Sequence, residues 1–534
     1  MSVPSKAPSN EKSLLRSAGI VSAAVAFSRI TGFARETVLG WLLGAGAIFD
    51  AYVLGYRVPN LARDLFAEGA LASAFVPAFT KALASGDKNE ARELSNITAT
   101  LLLLIVGTLS ALGMWFSPVF VEAFASDFHA VPGKFELAVR LVRIVFPFLP
   151  LVALAAQAQG ILYAHHRFGL PAVSSSLFNI GSILFGMTAG YWAGPQLGIQ
   201  PVEGMAAGIV FGGVAQLVFQ LPAVWKLGYG WRPRLNLHHP GVRQIFRLMG
   251  PAIVSGAAIQ INVLVNTNFA AGIRDSTGHV MNGPVSWLAY AFRFQQLPLG
   301  LFGIPVAAAA LPRLSRSAAT GNRDEFRDTL SRAIGMTLLA TVPAAVGLAV
   351  LSESMVGLVY EHGRFLPSDT QQTAIALTAY SLGIPGYAAV KLLSPAFYAL
   401  GDSRTPMLVS LSSIAVNALC AWTAVELLHM GTAGVALSLS LVAILTACAL
   451  LVLMSRKIGG VHGATISINL VKVALAASLM GAACLLVVHF ISSRALQSLI
   501  GIPVGVAAYY GAASALRIPE ISTMRDSLLA KFRG

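Results

Sequence analysis

Arginine dominates the residues of this chain that could do chemistry. Arg29, Arg35, Arg57, Arg63, Arg140, Arg143 and Arg293, with Lys391 and Lys472, fall within or at the ends of segments that are otherwise apolar. A charge at membrane depth is costly, so such groups face a wet cavity, pair with one another or reach for the interface. Arg29 and Glu36 are seven residues apart and share one helix face, while Arg35 points elsewhere. Asp50, Arg57, Asp64 and Glu68 form a second stripe, with Asn60 beside it and Arg63 roughly a third of a turn away. Lys472 reads as an inner-face anchor. Without it, eight basic groups stand against four acids, Glu36, Asp50, Asp64 and Glu68. A cavity lined by these groups is net positive. Guanidinium offers a planar fork of donors that matches phosphate oxygens and stays charged when partly desolvated, so the expected ligand is anionic, with phosphate ahead of carboxylate. Simpler placements stay open for Arg57 and Asp50 near an outer helix end, Arg140 and Arg143 at the interface, and a lone snorkelling Lys391.

The elements that must hold these groups are apolar helices. The chain has 534 residues, 56% hydrophobic and 11% charged, with a mean hydropathy of +0.70. A soluble domain carries roughly 25% charged residues, so an ordinary water-soluble enzyme is excluded. With ~20 apolar residues per crossing, fourteen candidate spans emerge: 14–43, 50–80, 94–121, 137–164, 170–192, 203–227, 243–272, 285–312, 329–352, 371–400, 405–427, 432–454, 466–490 and 495–515. Pro59 removes a backbone donor and should kink or loosen the second. Lys and Arg concentrate in alternate loops, with only Lys134, Arg274, Arg364 and Arg494 in the opposite set. That bias places both termini in the cytoplasm. The formal charge of +14 is spread between apolar segments rather than clustered on one soluble face, so no nucleic-acid partner is expected.

Sliding the chain against itself by 235 residues lays Val76–Glu93 over Leu311–Asp328, with identities at Pro77/Pro312, Ala84/Ala319, Gly86/Gly321, Glu90/Glu325 and Arg92/Arg327. The same shift superposes Pro150 on Pro385, Tyr163 on Tyr398 and Pro171 on Pro406. An even number of helices separates equivalent positions, so the halves share one orientation about an axis along the membrane normal. The expected fold is all-α and polytopic. A six-helix lobe (1–235) is repeated as a second (236–458), and two additional helices with a cytoplasmic tail follow (459–534).

No GxxxxGK[ST], HExxH or GxSxG occurs, so no enzyme and no cofactor is expected. Cys420, Cys448 and Cys484 sit in apolar runs without a CxxC pair and read as buried small hydrophobes, and no metal is expected. His165 and His166 beside Arg167 read as an interfacial cap. Gly204, Gly208 and Gly212, four apart, read as a close helix contact.

SRITGFARE (Ser28–Glu36), the segment from Gly44 to Pro77 containing RVPNLARDLFAEGA, and the later LPRLSRSAATGN resemble the MurJ (MviN) lipid II flippase family of bacterial peptidoglycan synthesis. That family lies within the multidrug/oligosaccharidyl-lipid/polysaccharide exporter superfamily. The resemblance implies two six-helix lobes around a central cationic cavity, a lipid-facing groove on the final pair for an undecaprenyl tail, and residence in the bacterial inner membrane. It maps important arginines onto Arg29, Arg35, Arg63 and Arg293. Supporting positions map onto Asp50, Glu68 and Asn60, beside the Glu36, Arg57 and Lys391 read from the pattern. Phe292 stands where relatives often carry an acid before the second-lobe arginine. Some members hold sodium in the second lobe, where this chain offers Asn262, Asn266 and Asn417 without a deep carboxylate, so bound sodium is not expected. The implied partners are lipid II, membrane lipids and the cell-wall synthesis machinery, with transport by alternating access. A flippase for another undecaprenyl-linked glycan of O-antigen type needs the same phosphate clamp. A multidrug antiporter would want unpaired buried acids, and a polytopic glycosyltransferase an essential outer-loop carboxylate.

Overall fold

A backbone surrounded by lipid must satisfy its own donors and acceptors, which leaves helices for an open chain of this composition. The computed structural model describes residues 27–64, 70–84 and 88–518, and among them the only β-pairing is an isolated Arg274–Val280 bridge. Helix α1 is described over residues 27–43, followed by α2 (Ala47–Arg63), α3 (Ala70–Ala84), α4 (Lys88–Trp115) and the short α5 (Ser117–Ala125). Next come α6 (Lys134–Val145), α7 (Phe148–Ala164), α8 (Gly169–Met187), the one-turn α9 (Gly194–Leu197), α10 (Pro201–Lys226) and α11 (Pro240–Ala271). The chain continues through α12 (Pro284–Pro298), α13 (Ile304–Ala319), α14 (Arg323–Val350), the short α15 (Ser352–Tyr360), α16 (Pro367–Ser381) and α17 (Ile384–Ala399). It ends with α18 (Arg404–Trp422), α19 (Gly431–Ile458), α20 (Gly463–Phe490) and α21 (Arg494–Ala515).

Local chemistry sets several of these starts. Pro201 occupies the first turn of α10, and Glu203 reaches back to accept from the Gln200 amide at 3.0 Å. Pro367 and Asp369 do the same for α16, with the Leu366 amide donating to Asp369 at 3.0 Å. Asn322 caps α14 by accepting from the Glu325 amide at 3.1 Å. Proline does not interrupt α2, which runs through Pro59 to Arg63. Helices α16 and α17 are bent by 44° at the short break between them.

Among the described residues ten helices are long and apolar enough to cross a membrane, or eleven if α16–α17 form one broken span. These account for eleven of the fourteen expected spans. The other three correspond to α1, to the pair α2 and α3, and to the 32-residue α11. The chain is thus an all-α, multi-pass membrane protein.

The 235-residue offset is written in the element boundaries. It carries α4 onto α14 at both ends, α5 onto α15, and α8 onto α18. It also carries the π-helical turn Thr188–Trp192 onto Thr423–Leu427. The short helices α5 and α15 extend beyond the expected spans, and each follows its long helix after one residue.

By contact the chain divides into two units, Met1–Leu43 with Ala47–Gln260, and Gly44–Gly46 with Ile261–Gly534. This contact division lies within α11, which runs unbroken from Pro240 to Ala271. In the first unit, α10 lies against α8 on its glycine face. A Cβ at Gly212 would sit 2.6 Å from the Phe178 carbonyl oxygen, one at Gly208 would meet the Ser182 oxygen, and one at Gly204 would meet Gly190. In the second unit, Leu314, Phe326, Leu330, Leu392, Phe397 and Met454 pack where α13, α14, α17 and α19 meet. The final pair belongs to this unit: Val473 and Ala476 of α20 and Ala513 of α21 pack with Leu339, whose carbonyl accepts from the Tyr509 hydroxyl at 2.7 Å. Of the cysteines only Cys484 is buried. Cys448 is exposed on α19, which corrects the expectation for that residue, since an apolar run can equally face lipid.

Candidate substrate site

In the first unit the charged stripe is sorted by partner. Asp50 lies in the first turn of α2 and accepts from Lys134 Nζ, at the start of α6, at 2.8 Å. The two side chains are 0% and 1% exposed, and Lys134 Nζ sits 4.2 Å from the Phe128 ring centroid. Asp50 therefore joins α2 to α6 in a dry environment instead of facing water. The close approach of these helices depends on Gly55, where a Cβ would sit 2.7 Å from that of Leu141.

Arg35 and Glu36 are both buried on α1, and Arg35 Nη2 donates to Glu36 Oε1 at 2.8 Å. The Arg35 guanidinium lies 5.7 Å from the Tyr56 ring and 5.3 Å from Phe178, between α2 and α8. Its Nε is buried without a partner. A helical wheel separates Arg35 from Glu36, but the long side chain curls back to its neighbour.

Farther along α2, Arg63 donates from Nε at 3.2 Å and from Nη2 at 2.8 Å to one oxygen of Asp64. The other oxygen of Asp64 accepts from Gln260 Nε2 at 2.9 Å and Asn60 Nδ2 at 3.4 Å. With side chains 19% and 29% exposed, Arg63 and Asp64 are reachable by water, unlike Asp50. Asn60 Oδ1 is buried without a donor. Arg57 is half-buried, and Arg29 is exposed on α1. Glu68 lies outside the described residues.

In the second unit, Arg293 is exposed on α12 and Lys391 is exposed on α17. Phe292 sets its ring edge-on against Tyr380 at 6.0 Å, so the position that carries an acid in relatives is used for packing. Asn266 Oδ1 accepts from Asn417 Nδ2 at 2.5 Å, Asn417 Oδ1 from Ser438 Oγ at 3.3 Å, and Asn266 Nδ2 donates to the Val435 carbonyl at 3.0 Å. Two of the three amide oxygens are thus engaged by neighbouring donors, and Asn262 Oδ1 is buried without one. A neutral set in this state does not fit a sodium ion, and among the described residues no group of three His, Cys, Asp or Glu could hold a metal.

Sequence pattern missed Lys134 and Gln260, which lie 84 and 196 residues from their acids. One signal for Lys134 existed. Its counterpart at the 235 offset is Asp369, which accepts from Trp287 Nε1 at 2.9 Å and links α16 to α12. Arg140 and Arg143 of α6 are paired within the first unit, with Glu203 at 3.3 Å and Ser117 Oγ at 2.9 Å.

The repeated all-helical architecture is that of a polytopic transporter. It is similar to a multidrug resistance MATE family transporter of the MOP superfamily in an inward-facing conformation, with a TM-score of 0.67, 16% identity, and coverage of 81% of this chain and 94% of that one. That likeness defines the fold. Residues 40–503 match the family model described as "Lipid II flippase MurJ", and the chain belongs to that family. The probable lipid II flippase MurJ of Vibrio cholerae is 36% identical over 422 residues, covering 77% of this chain and 78% of that protein. The Bdellovibrio bacteriovorus protein of the same description is 31% identical over 531 residues, covering 97% and 98%. A solved structure described as lipid II flippase MurJ in an inward closed conformation superposes with a TM-score of 0.75 at 26% identity, over 93% of this chain and 98% of that one. The family is one of transporters, not enzymes, and places the chain in the inner membrane.

Proposed function

We propose that this chain moves lipid II, the undecaprenyl-pyrophosphate-linked disaccharide pentapeptide, from the cytoplasmic to the periplasmic leaflet by alternating access. Membership of the lipid II flippase family supports the substrate class. The observation that carries the mechanism is the sorting of charge. Glu36, Asp50 and Asp64 each bond a basic group of their own unit, whereas Arg29, Arg293 and Lys391 are exposed on helices. At 1.5 Å per residue, Arg293 stands about 14 Å along α12 from its start, close to half of a ~30 Å hydrocarbon core. An exposed guanidinium at that depth is costly against acyl chains and is better served by a wet cavity.

In this reading Arg29, Arg63 and Arg293 receive the pyrophosphate, with Arg35 holding the first-unit site in shape. Glu36, Asp50, Arg57, Asn60, Glu68 and Lys391 support them. The prenyl chain stays in the bilayer. Loading neutralises mutually repelling cations, a differential interaction that biases closure. The two-lobe organisation 1–235 and 236–458, with 459–534 appended, is supported by the common offset of element boundaries. Both termini lie in the cytoplasm by the distribution of Lys and Arg, and contact with the cell-wall synthesis machinery would hand the flipped precursor on.

The test is depletion of the chromosomal copy, scoring of lipid II on each membrane face, and rescue by Arg29→Ala, Arg63→Ala and Arg293→Ala. Failure of rescue at normal membrane abundance is expected. Full rescue by all three would remove the site.

A further inference from the structure

The repeat makes each unit a template for the other, and at one place the second unit lacks what the first contains. Helices α15, α16 and α19 border an open pocket of about 470 Å³ lined by Glu353, Gln371, Ile375, Thr378, Leu382, Met430 and Ala433. Ile375, Leu382 and Met430 are exposed, so its apolar flank opens sideways. At the 235 offset, Ile375 and Thr378 correspond to Arg140 and Arg143. In the first unit Arg143 Nε donates to Ser117 Oγ at 2.9 Å and to the Met114 carbonyl at 3.3 Å. In the second, Thr378 Oγ1 takes the equivalent acceptors, Ser352 Oγ at 3.0 Å and the Ala349 carbonyl at 3.3 Å. The hydrogen bonds are kept, but two guanidinium-bearing side chains are gone.

Charge changes in the opposite sense. Glu353 and Glu361 share the single guanidinium of Arg494, with Glu353 Oε1 at 2.7 Å from Nη2 and Glu361 bonded to Nη1. The trio carries one net negative charge. Arg494 comes from the appended helix pair, and the offset positions of the two acids in the first unit are Pro118 and Ser126, so neither of these two carboxylates has a counterpart there. The pocket thus has a carboxylate and hydroxyls among its walls together with the exposed apolar side chains of Ile375, Leu382 and Met430. Its volume falls in the ~300–1,000 Å³ range of small-molecule sites.

We propose that this cavity binds an aminophospholipid from the outer leaflet, its ammonium taking the place of the missing arginines beside Glu353 and its first methylenes lying against Ile375, Leu382 and Met430. The leaflet rests on the topology proposed above; the chemistry does not. An ammonium with N–H donors satisfies Glu353, Gln371 and Thr378, whereas a trimethylated head has no donor and a glycerol head brings no cation.

The experiment uses the full chain in detergent, titrated separately with short-chain phosphatidylethanolamine, phosphatidylcholine and phosphatidylglycerol, and read by native mass spectrometry and thermal melting. Saturable binding and stabilisation by phosphatidylethanolamine are expected, with the other two lipids about tenfold weaker, the worth of one charge-assisted hydrogen bond. Thr378→Arg, which installs the first unit's residue, and Ala433→Leu, which fills the cavity without touching the ion pairs, should each abolish the preference. Equal response to the three lipids, or a preference that survives both variants, overturns the proposal. Because the readout needs no lipid II, it stands or falls separately from the rescue experiment.

Discussion

Asp50 and Lys134 make the sharpest prediction, because the same carboxylate invites two readings with different consequences. If it contacts substrate, Asp50→Ala should abolish transport in a normally stable protein. The structure makes it a clamp between α2 and α6, with both side chains removed from solvent and 2.8 Å apart. At that distance and an effective dielectric of 20 the attraction is ~6 kcal/mol, much of it offset by desolvation. Removing one partner leaves the other charged in a dry site and costs about 3–5 kcal/mol, whereas replacing both by apolar residues of similar volume is close to neutral. Asp50→Ala should therefore lower the melting temperature in detergent and the abundance in membranes. The double variant Asp50→Leu/Lys134→Met should recover most of the loss and complement a depleted strain. A single variant that melts like the parent yet fails to complement, or a double variant no more stable than the single one, would refute the clamp.

Gly208→Ala pushes a Cβ into the Ser182 carbonyl oxygen, and should destabilise by ~1–3 kcal/mol in thermal or denaturant unfolding, because backbone on the facing helix cannot yield as a side chain can. Arg35→Lys keeps the charge but loses the planar group set between Tyr56 and Phe178, so lipid II flipping should fall while Arg35→Ala falls further, measured at matched abundance. Asp402 joins the α17–α18 loop to α19. The hydrogen bond from Lys457 Nζ at 2.6 Å, with those from Thr405, holds its carboxyl well below the usual carboxylate range. A folded-state value below the unfolded one gives stability that is complete above about pH 4 and is lost as pH falls through the folded value. Melting temperatures from pH 7 down to pH 3 should show a smaller acid-side loss in Asp402→Asn than in the parent.

Features that depend on composition or on one helix at a time were legible in the sequence. Apolar length located the spans, and the shift that aligned Pro77 with Pro312 also aligns the ends of α4 and α8 with those of α14 and α18. The four-residue glycine spacing of α10 marked its contact with α8 because only one face of a helix can lie that close. Features that depend on which helices meet were not legible. Nothing near Asp50 announces Lys134, and nothing in an apolar run distinguishes the exposed Cys448 from the buried Cys484. The helical wheel also misjudged Arg35, since it fixes the direction of Cβ but not where four further rotatable bonds carry the guanidinium.

These outcomes bear on how charge is balanced within the first unit. Counting residues gave eight bases against four acids, a modest excess in which any carboxylate could have cancelled any arginine. For the three acids among the described residues the structure removes that freedom. Glu36 is committed to Arg35, Asp50 to Lys134, and Asp64 to Arg63 with two amides, each within the first unit. Lys134, counted among loop charges, is what takes Asp50 out of the balance. Arg29, Arg293 and Lys391 are exposed on α1, α12 and α17. The three acids are engaged within the first unit, where Asp50 ties α2 to α6 and Asp64 ties the end of α2 to Gln260 of α11.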